Sequence, residues 1–142
     1  MKKNSIVRQL TANITLVFGK KATSPPSHVR KVTVDDETKR IMREWISNGG
    51  WAQNLNYDEV ASTLGISKQK IALYTYCMHH TTFLRWRREL RIEAAKRILL
   101  EDKRIPTSLV GEFVGIPDSS NFRRLFREMT GYNPGEWRRL KH

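Results

Sequence analysis

The chain has 142 residues, enough for one or two small domains with a modest core. It carries 26 basic and 14 acidic residues, a net charge of +12 that points to a phosphate-binding surface or, more plainly, to solubility. Its single cysteine, Cys77, excludes an intramolecular disulfide and fits a reducing, cytoplasmic setting; its longest uncharged stretch near the N-terminus, residues 9–19, is too short to span a membrane.

The charge is unevenly spread. Residues 1–34 hold seven basic and no acidic residues, 35–66 three and six, 67–104 ten and four, and 105–142 six and four. Residues 1–34 read as a basic tail. Ile6, Leu10, Ile14 and Val17 have helical spacing, but Ser24-Pro25-Pro26-Ser27 breaks regular structure, and a mobile linker is the expectation.

The folded part is expected to begin at a cap, Thr33 or Asp35, opening a helix that carries Ile41, Trp45 and Ile46. Asn48-Gly49-Gly50 ends it. Asn56 with Glu59 three residues on predicts the next helix by a capping box, with its stop at Gly65. Ser67 caps a second helix, with Ile71, Thr75 and Met78 inward and Tyr74 flanking. Thr81 or Thr82 opens a long helix to about Asp102. It has two apolar stripes: Phe83, Trp86, Leu90, Ala94 and Ile98, then Leu84, Ile92, Ala95 and Leu99. A surface helix needs one stripe, so this one is predicted to be packed on both sides. After Ile105-Pro106, Thr107 is the expected cap of a short helix and Asp118 of the next, whose buried face is Phe122, Leu125, Phe126 and Met129 and which ends before Gly131. Asn133-Pro134 starts a last helix bearing Trp137 and Leu140. No strand pattern occurs.

The chain repeats itself. Val60-Ala61-x-x-Leu64-Gly65-Ile66 returns fifty residues later as Val110-Gly111-x-x-Val114-Gly115-Ile116. Beyond Pro117 the offset is fifty-one: Ser67 answers to Asp118, Ile71 to Phe122, Thr75 to Phe126, Phe83 to Pro134, Trp86 to Trp137 and Arg87 to Arg138. Each copy reads as helix, glycine stop, turn, cap and second helix, the pattern of a helix-turn-helix whose second helix enters the DNA major groove. The predicted fold is all-α: two helix-turn-helix subdomains, residues 35–81 and 103–142, joined by a shared linker helix at 82–102, about seven helices in all. A helix of roughly twenty residues spans about 30 Å, close to one B-DNA turn of about 34 Å.

The outward faces supply the candidate contacts. On the second recognition helix these are Ser119, Ser120, Arg123, Arg124 and Arg127. Arg can bond guanine O6 and N7 together, and Ser can meet several base edges. Arg124 has a structural ion pair as competitor, and Arg127 suits phosphate or the neighbourhood of Glu128. On the first recognition helix Lys68, Gln69, Ala72, Leu73 and Tyr76 face outward. Gln69 could pair with adenine and Ala72 or Leu73 meet thymine methyls, the alternative being a solvated face. Thr81, Thr82, Tyr132 and Asn133 lie at helix starts, where backbone N–H groups favour phosphate. Cys77-Met78-His79-His80 lacks the four ligands a tetrahedral zinc site wants. No nucleophile motif, paired carboxylates or phosphate loop stands out, so neither catalysis nor a cofactor is expected.

The stretch Arg91-Ile92-Glu93-Ala94-Ala95-Lys96-Arg97-Ile98-Leu99-Leu100, followed by Val114-Gly115-Ile116-x-Asp118, Phe122, Arg124, Phe126, Gly131, Pro134 and Trp137-Arg138, resembles the AraC/XylS family of bacterial transcription regulators over about residues 35–140. Ser120-Asn121-Phe122 with Pro134-Gly135-Glu136-Trp137-Arg138 is similar to regulators of the Bacteroidetes. The resemblance implies a sequence-specific double-stranded DNA binder with base contacts at Ser119, Ser120, Arg123 and Arg124. It also implies a sensor domain that is separate from these residues or missing. Thr75 stands where the family has a core Phe and His80 where it has a glycine stop, so the first repeat reads as the degenerate one; in the second, Gly111 stands where the family has Ala and Ile116 where it has Phe. Two other readings stay open: a general nucleic-acid binder, and a protein-interaction module. Leu109 and Phe113, apolar where the first repeat has Glu59 and Thr63, are a candidate patch for RNA polymerase or another partner, with contact inside this chain as the alternative.

Overall fold

The structure is a computed structural model that describes residues 32–141; most of the basic tail, including the candidate helix at residues 6–17, lies outside the described residues. Those residues form seven α-helices, one 3-10 turn and no strand. In chain order they are α1 (Asp36–Ser47), the 3-10 turn (Gly50–Ala52), α2 (Tyr57–Leu64), α3 (Lys68–His79), α4 (Phe83–Glu101), α5 (Thr107–Phe113), α6 (Ser119–Thr130) and α7 (Pro134–Lys141).

Short polar side chains set most of the helix starts. Asp35 accepts from Thr38 N–H at 2.8 Å, Ser67 from Lys70 N–H at 3.2 Å, Thr82 from Arg85 N–H at 3.4 Å and Asp118 from Asn121 N–H at 2.7 Å. Asn56 and Glu59 form the reciprocal box at 2.9 and 2.7 Å. Each such cap satisfies a donor the helix cannot, and is worth about 0.5–2 kcal/mol. The start of α5 departs from expectation. Pro106 is its cap residue, with no side-chain bond, and Thr107 is already helical. Proline's fixed φ sets the chain's entry into the helix but satisfies none of its first-turn N–H donors.

One core runs through the molecule, and α4 is its axis. It packs against α3, the 3-10 turn, α5, α6 and α7. Both of its stripes are buried except Leu84, which is 50% exposed. The offset of fifty explains the double duty: Met42 and Trp45 of α1 answer to Ile92 and Ala95 of α4, and all four are buried. The first half of α4 thus closes the first unit, and its second half opens the second.

Arginines repeat the symmetry. Arg87 donates to the Leu55 carbonyl at 2.6 Å, and Arg138 donates to the Ile105 carbonyl at 2.8 Å. Leu55 and Ile105 are themselves fifty apart. Arg138 also donates to the carbonyls of Leu99 at 3.1 Å and Lys103 at 3.3 Å.

Several apolar residues expected inside are outside. Met78 is 37%, Met129 39% and Leu140 62% exposed, because each stands near a helix end beyond the reach of its neighbours. Tyr74, expected at the flank, is buried instead and packs edge-on against Trp86. In α1 the buried residues are Thr38, Met42, Trp45 and Ile46, with Ile41 only half-buried. Phe113 is partly buried against the core, so of the candidate partner patch only Leu109 is exposed.

The two units also meet directly. Arg91 of α4, 9% exposed, donates to the Trp51 carbonyl at 2.6 Å and the Gln53 carbonyl at 2.7 Å. Gly115, in the turn between α5 and α6, lies against this junction. A Cβ there would stand 2.5 Å from the Ala52 carbonyl oxygen and 3.0 Å from Arg91 Nη2. With φ at +85° the position favours glycine on backbone grounds as well. Burial, and then the neighbouring Arg87, push the Arg91 pKa down to about 9, which leaves it cationic at neutral pH.

Candidate nucleic-acid interface

The cap at Asp118 and the stop at Gly131 fix the length of α6. Its rotation is fixed by Phe122, Leu125 and Phe126, which are 2%, 7% and 0% exposed. Ser119, Ser120, Arg123, Arg124 and Arg127 are therefore thrown outward, and these five line one open depression. Within it the arginines differ. Arg124 is held along the helix by Glu128 at 2.8 Å and the Asn121 side-chain oxygen at 2.7 Å. Arg123 and Arg127 make no ion pair among the described residues. The Arg123 and Arg127 guanidiniums are thus without a carboxylate partner among the described residues, while Arg124 is committed to two partners.

On α3 the buried face is Ile71, Tyr74 and Thr75. Lys68, Gln69, Ala72 and Tyr76 are exposed, and Leu73 is half-buried against the core. Leu73 consequently offers less surface to a thymine methyl than its helical position suggested. Lys68 is engaged: its ammonium meets Asp58 at 3.0 Å and lies 4.8 Å above the Tyr57 ring. The Tyr57 hydroxyl in turn donates to the Lys68 carbonyl at 3.0 Å. Gln69 and Ala72 remain the unencumbered positions on this face, with Tyr76, 70% exposed, one turn further along.

The expected backbone contacts divide as well. Thr81 is half-buried and Thr82 exposed at the start of α4, where the N-terminal N–H groups carry partial positive charge. Tyr132 is exposed, but its N–H already donates to Thr130 Oγ1 at 3.2 Å. Asn133 is consumed by its own cap: its side chain accepts from Glu136 N–H at 2.8 Å and its N–H donates to Glu136 Oε2 at 3.3 Å. This is the capping role expected from Asn133-Pro134, and it competes with phosphate contact for the same groups.

His79 stacks on Trp86 at 4.7 Å between ring centroids, a packing role. No group of three or more potential metal ligands occurs among the described residues. No helix among them is long and apolar enough to cross a membrane.

Comparison with known proteins follows the same outline. A family model described as a helix-turn-helix domain, of the AraC/XylS type, matches residues 60–140. The arabinose operon regulatory protein of Escherichia coli strain K12 is 31% identical over 103 residues, 72% of this chain and 35% of that protein. The transcriptional activator NphR of a Rhodococcus species is 31% identical over 86 residues, 61% of this chain and 25% of that one. This chain therefore spans about a third or less of the length of the curated relatives it matches. In fold it is similar to the C-terminal domain of AraT, a response regulator from Geobacillus stearothermophilus, with a TM-score of 0.65, 21% identity, 77% of this chain covered and 88% of that one.

Proposed function

The chain belongs to the AraC/XylS-type helix-turn-helix family, and from that premise we propose that it is a sequence-specific, double-stranded DNA-binding transcription regulator. It reads two successive major-groove segments on one face of the duplex, with α3 in one and α6 in the other. The observation that carries this reading is the pair of capped, stripe-anchored helices held on one continuous helix. The nineteen residues of α4 extend about 28 Å at 1.5 Å per residue, against about 34 Å for a turn of B-DNA. Working on chromosomal DNA puts the chain in the bacterial cytoplasm. Effector sensing falls to another domain or protein.

The two helices contribute unequally. Arg123 is the principal base-reading group, with Ser119 and Ser120 beside it at the helix start and Arg124 joining once it exchanges Glu128 for DNA. On α3, Gln69 and Ala72 read bases, Lys68 releases Asp58 to do so, and Leu73 adds edge contact. Thr81, Thr82, Arg127 and Tyr132 meet phosphates. Asn133 does so only if its cap opens.

Selection from random duplexes followed by footprinting tests the reading. Two protected major-groove segments about one helical turn apart are expected. One segment alone would confine DNA reading to α6. Replacing Arg123 by Ala should weaken the selected duplex by about 1–3 kcal/mol while barely changing affinity for random DNA. An unchanged ratio of specific to random binding would remove Arg123 from the reading set.

A further inference from the structure

We infer that Arg91 is a positioning residue that fixes the spacing of the two DNA half-sites the chain accepts, a role that rests on the two-headed reading above. A single helix between two reading heads sets their separation but leaves their relative rotation to whatever packs beside it. Here that second constraint is a junction of three pieces. Arg91 of α4 ties the Trp51 carbonyl of the first unit's 3-10 turn and the Gln53 carbonyl just after it, at 2.6 and 2.7 Å. The Gly115 turn of the second unit, immediately before α6, rests on Ala52 and on Arg91 Nη2, closely enough that a Cβ would not fit.

The corresponding glycine of the first repeat, Gly65, has nothing within 4 Å of the same point. Both glycines have positive φ, 68° and 85°. The backbone shape is thus common to both repeats, and the close approach is special to the second. Arg91 is also distinguished from its neighbour. Arg87 bonds one carbonyl, Leu55, in the unit to which its own end of α4 belongs. Arg91 lies against both units. Among the described residues no carboxylate accepts from it, so its cation is held by backbone carbonyls at the junction. Loss of the guanidinium unties the 3-10 turn from α4 and leaves Gly115 resting on an untethered strand of backbone. The α6 unit can then rock relative to α3.

The test uses the duplex obtained by selection and derivatives with one or two base pairs inserted between the protected segments. One base pair turns the second segment by about 34° and moves it about 3.4 Å. The wild-type chain should lose about 100-fold in affinity per inserted pair, the size of losing a few base contacts. Arg91→Met should bind the original duplex within about tenfold of wild type, while its penalty for insertion falls to about tenfold or less. Arg87→Met should keep the full wild-type penalty. If Arg91→Met does not fold, as judged by circular dichroism, Arg91→Lys decides, since an ammonium keeps the charge without the fork that spans two carbonyls. An insertion penalty in the Arg91 variant equal to that of wild type would overturn the inference. So would loss of folding in both variants, which would make Arg91 a requirement of the core alone. A single protected segment in wild type would instead overturn the two-headed reading itself.

Discussion

The two units end α3 and α6 in the same left-handed turn with different residues. His80 has φ 55° and Gly131 has φ 83°. The repeat differs in the core beneath as well, where the fully buried Thr75 of α3 answers to the fully buried Phe126 of α6. Thr75 spends its hydroxyl on its own helix, on the carbonyls of Ala72 at 3.1 Å and Ile71 at 3.3 Å. Phe126 instead meets Phe122 at 5.8 Å and Trp137 at 5.9 Å between centroids. The first unit makes up the missing ring from other places: Trp45, Phe83 and Trp86 form an aromatic cluster, and Tyr57 stacks on Phe83 at 4.5 Å. The same topology can thus be filled from different positions, and loss of the family's usual residue at Thr75 does not mean loss of the unit.

The largest expected effect that bears on this contrast is in the core. Phe126→Ala should cost about 3–5 kcal/mol, because its cavity is walled by rings that cannot collapse into it. Thr75→Ala should cost about 1 kcal/mol, the worth of one buried methyl with a locally satisfied hydroxyl. Urea unfolding monitored by circular dichroism measures both, and equal losses would erase the distinction.

Next is the crossing of α2 with α3 in the first unit and of α5 with α6 in the second. Gly111 of α5 leaves no room: a Cβ would lie 2.8 Å from the Ile116 carbonyl oxygen and 2.9 Å from Phe122 Cγ. Its counterpart Ala61 is accommodated in α2, 8% exposed. Gly111→Ala should therefore destabilise by about 1–3 kcal/mol despite alanine's better helix propensity. A rise in melting temperature would show that the second crossing is as open as the first.

Smaller effects belong to the helix stops. His80→Gly should stabilise by about 1 kcal/mol by removing a left-handed non-glycine residue, and Gly131→Ala should destabilise by about the same, since no neighbour obstructs a Cβ at that point. Differential scanning calorimetry of the two variants gives shifts of opposite sign if the stops are equivalent.

Smallest is Asp58→Asn. It releases Lys68 at the start of α3, should change folding stability by less than about 0.5 kcal/mol, and should strengthen DNA binding by less than about 1 kcal/mol. Fluorescence anisotropy on the selected duplex reads the gain; weaker binding would show that Asp58 holds Lys68 in the pose DNA needs.

What the sequence made legible was local. Asp35, Asn56, Ser67 and Asp118 act on N–H groups three residues away, and Gly65 and Gly131 act on their own dihedrals, so each could be read where it stands. The helical period likewise assigned the middle of α6, and that of α3 apart from Tyr74. It did not show where a neighbour stops. Met78, Leu84, Met129 and Leu140 have the right phase but lie at ends where no partner helix continues. Pro106 escaped because a cap without a side-chain bond leaves no polar signature. The partners that decide which cations are available lie on the same helix for Arg124 and ten residues away for Lys68. The carbonyls that hold Arg91 lie about forty residues away, and no periodicity points to them.

The placement of α4 has a consequence for folding. Trp86 and Leu90 lie on the half of α4 that closes the first unit, Ile98 and Leu99 on the half that opens the second, and all belong to one core with the buried Ala94 and Ala95 between them. Melting the second unit would bare one flank of a helix whose remaining turns the first unit still needs. Neither half can come apart without exposing apolar surface of the other, so partly opened species are disfavoured on both sides. Unfolding is therefore expected to run as one cooperative transition, with the amides of residues 90–95 exchanging with solvent only through global opening.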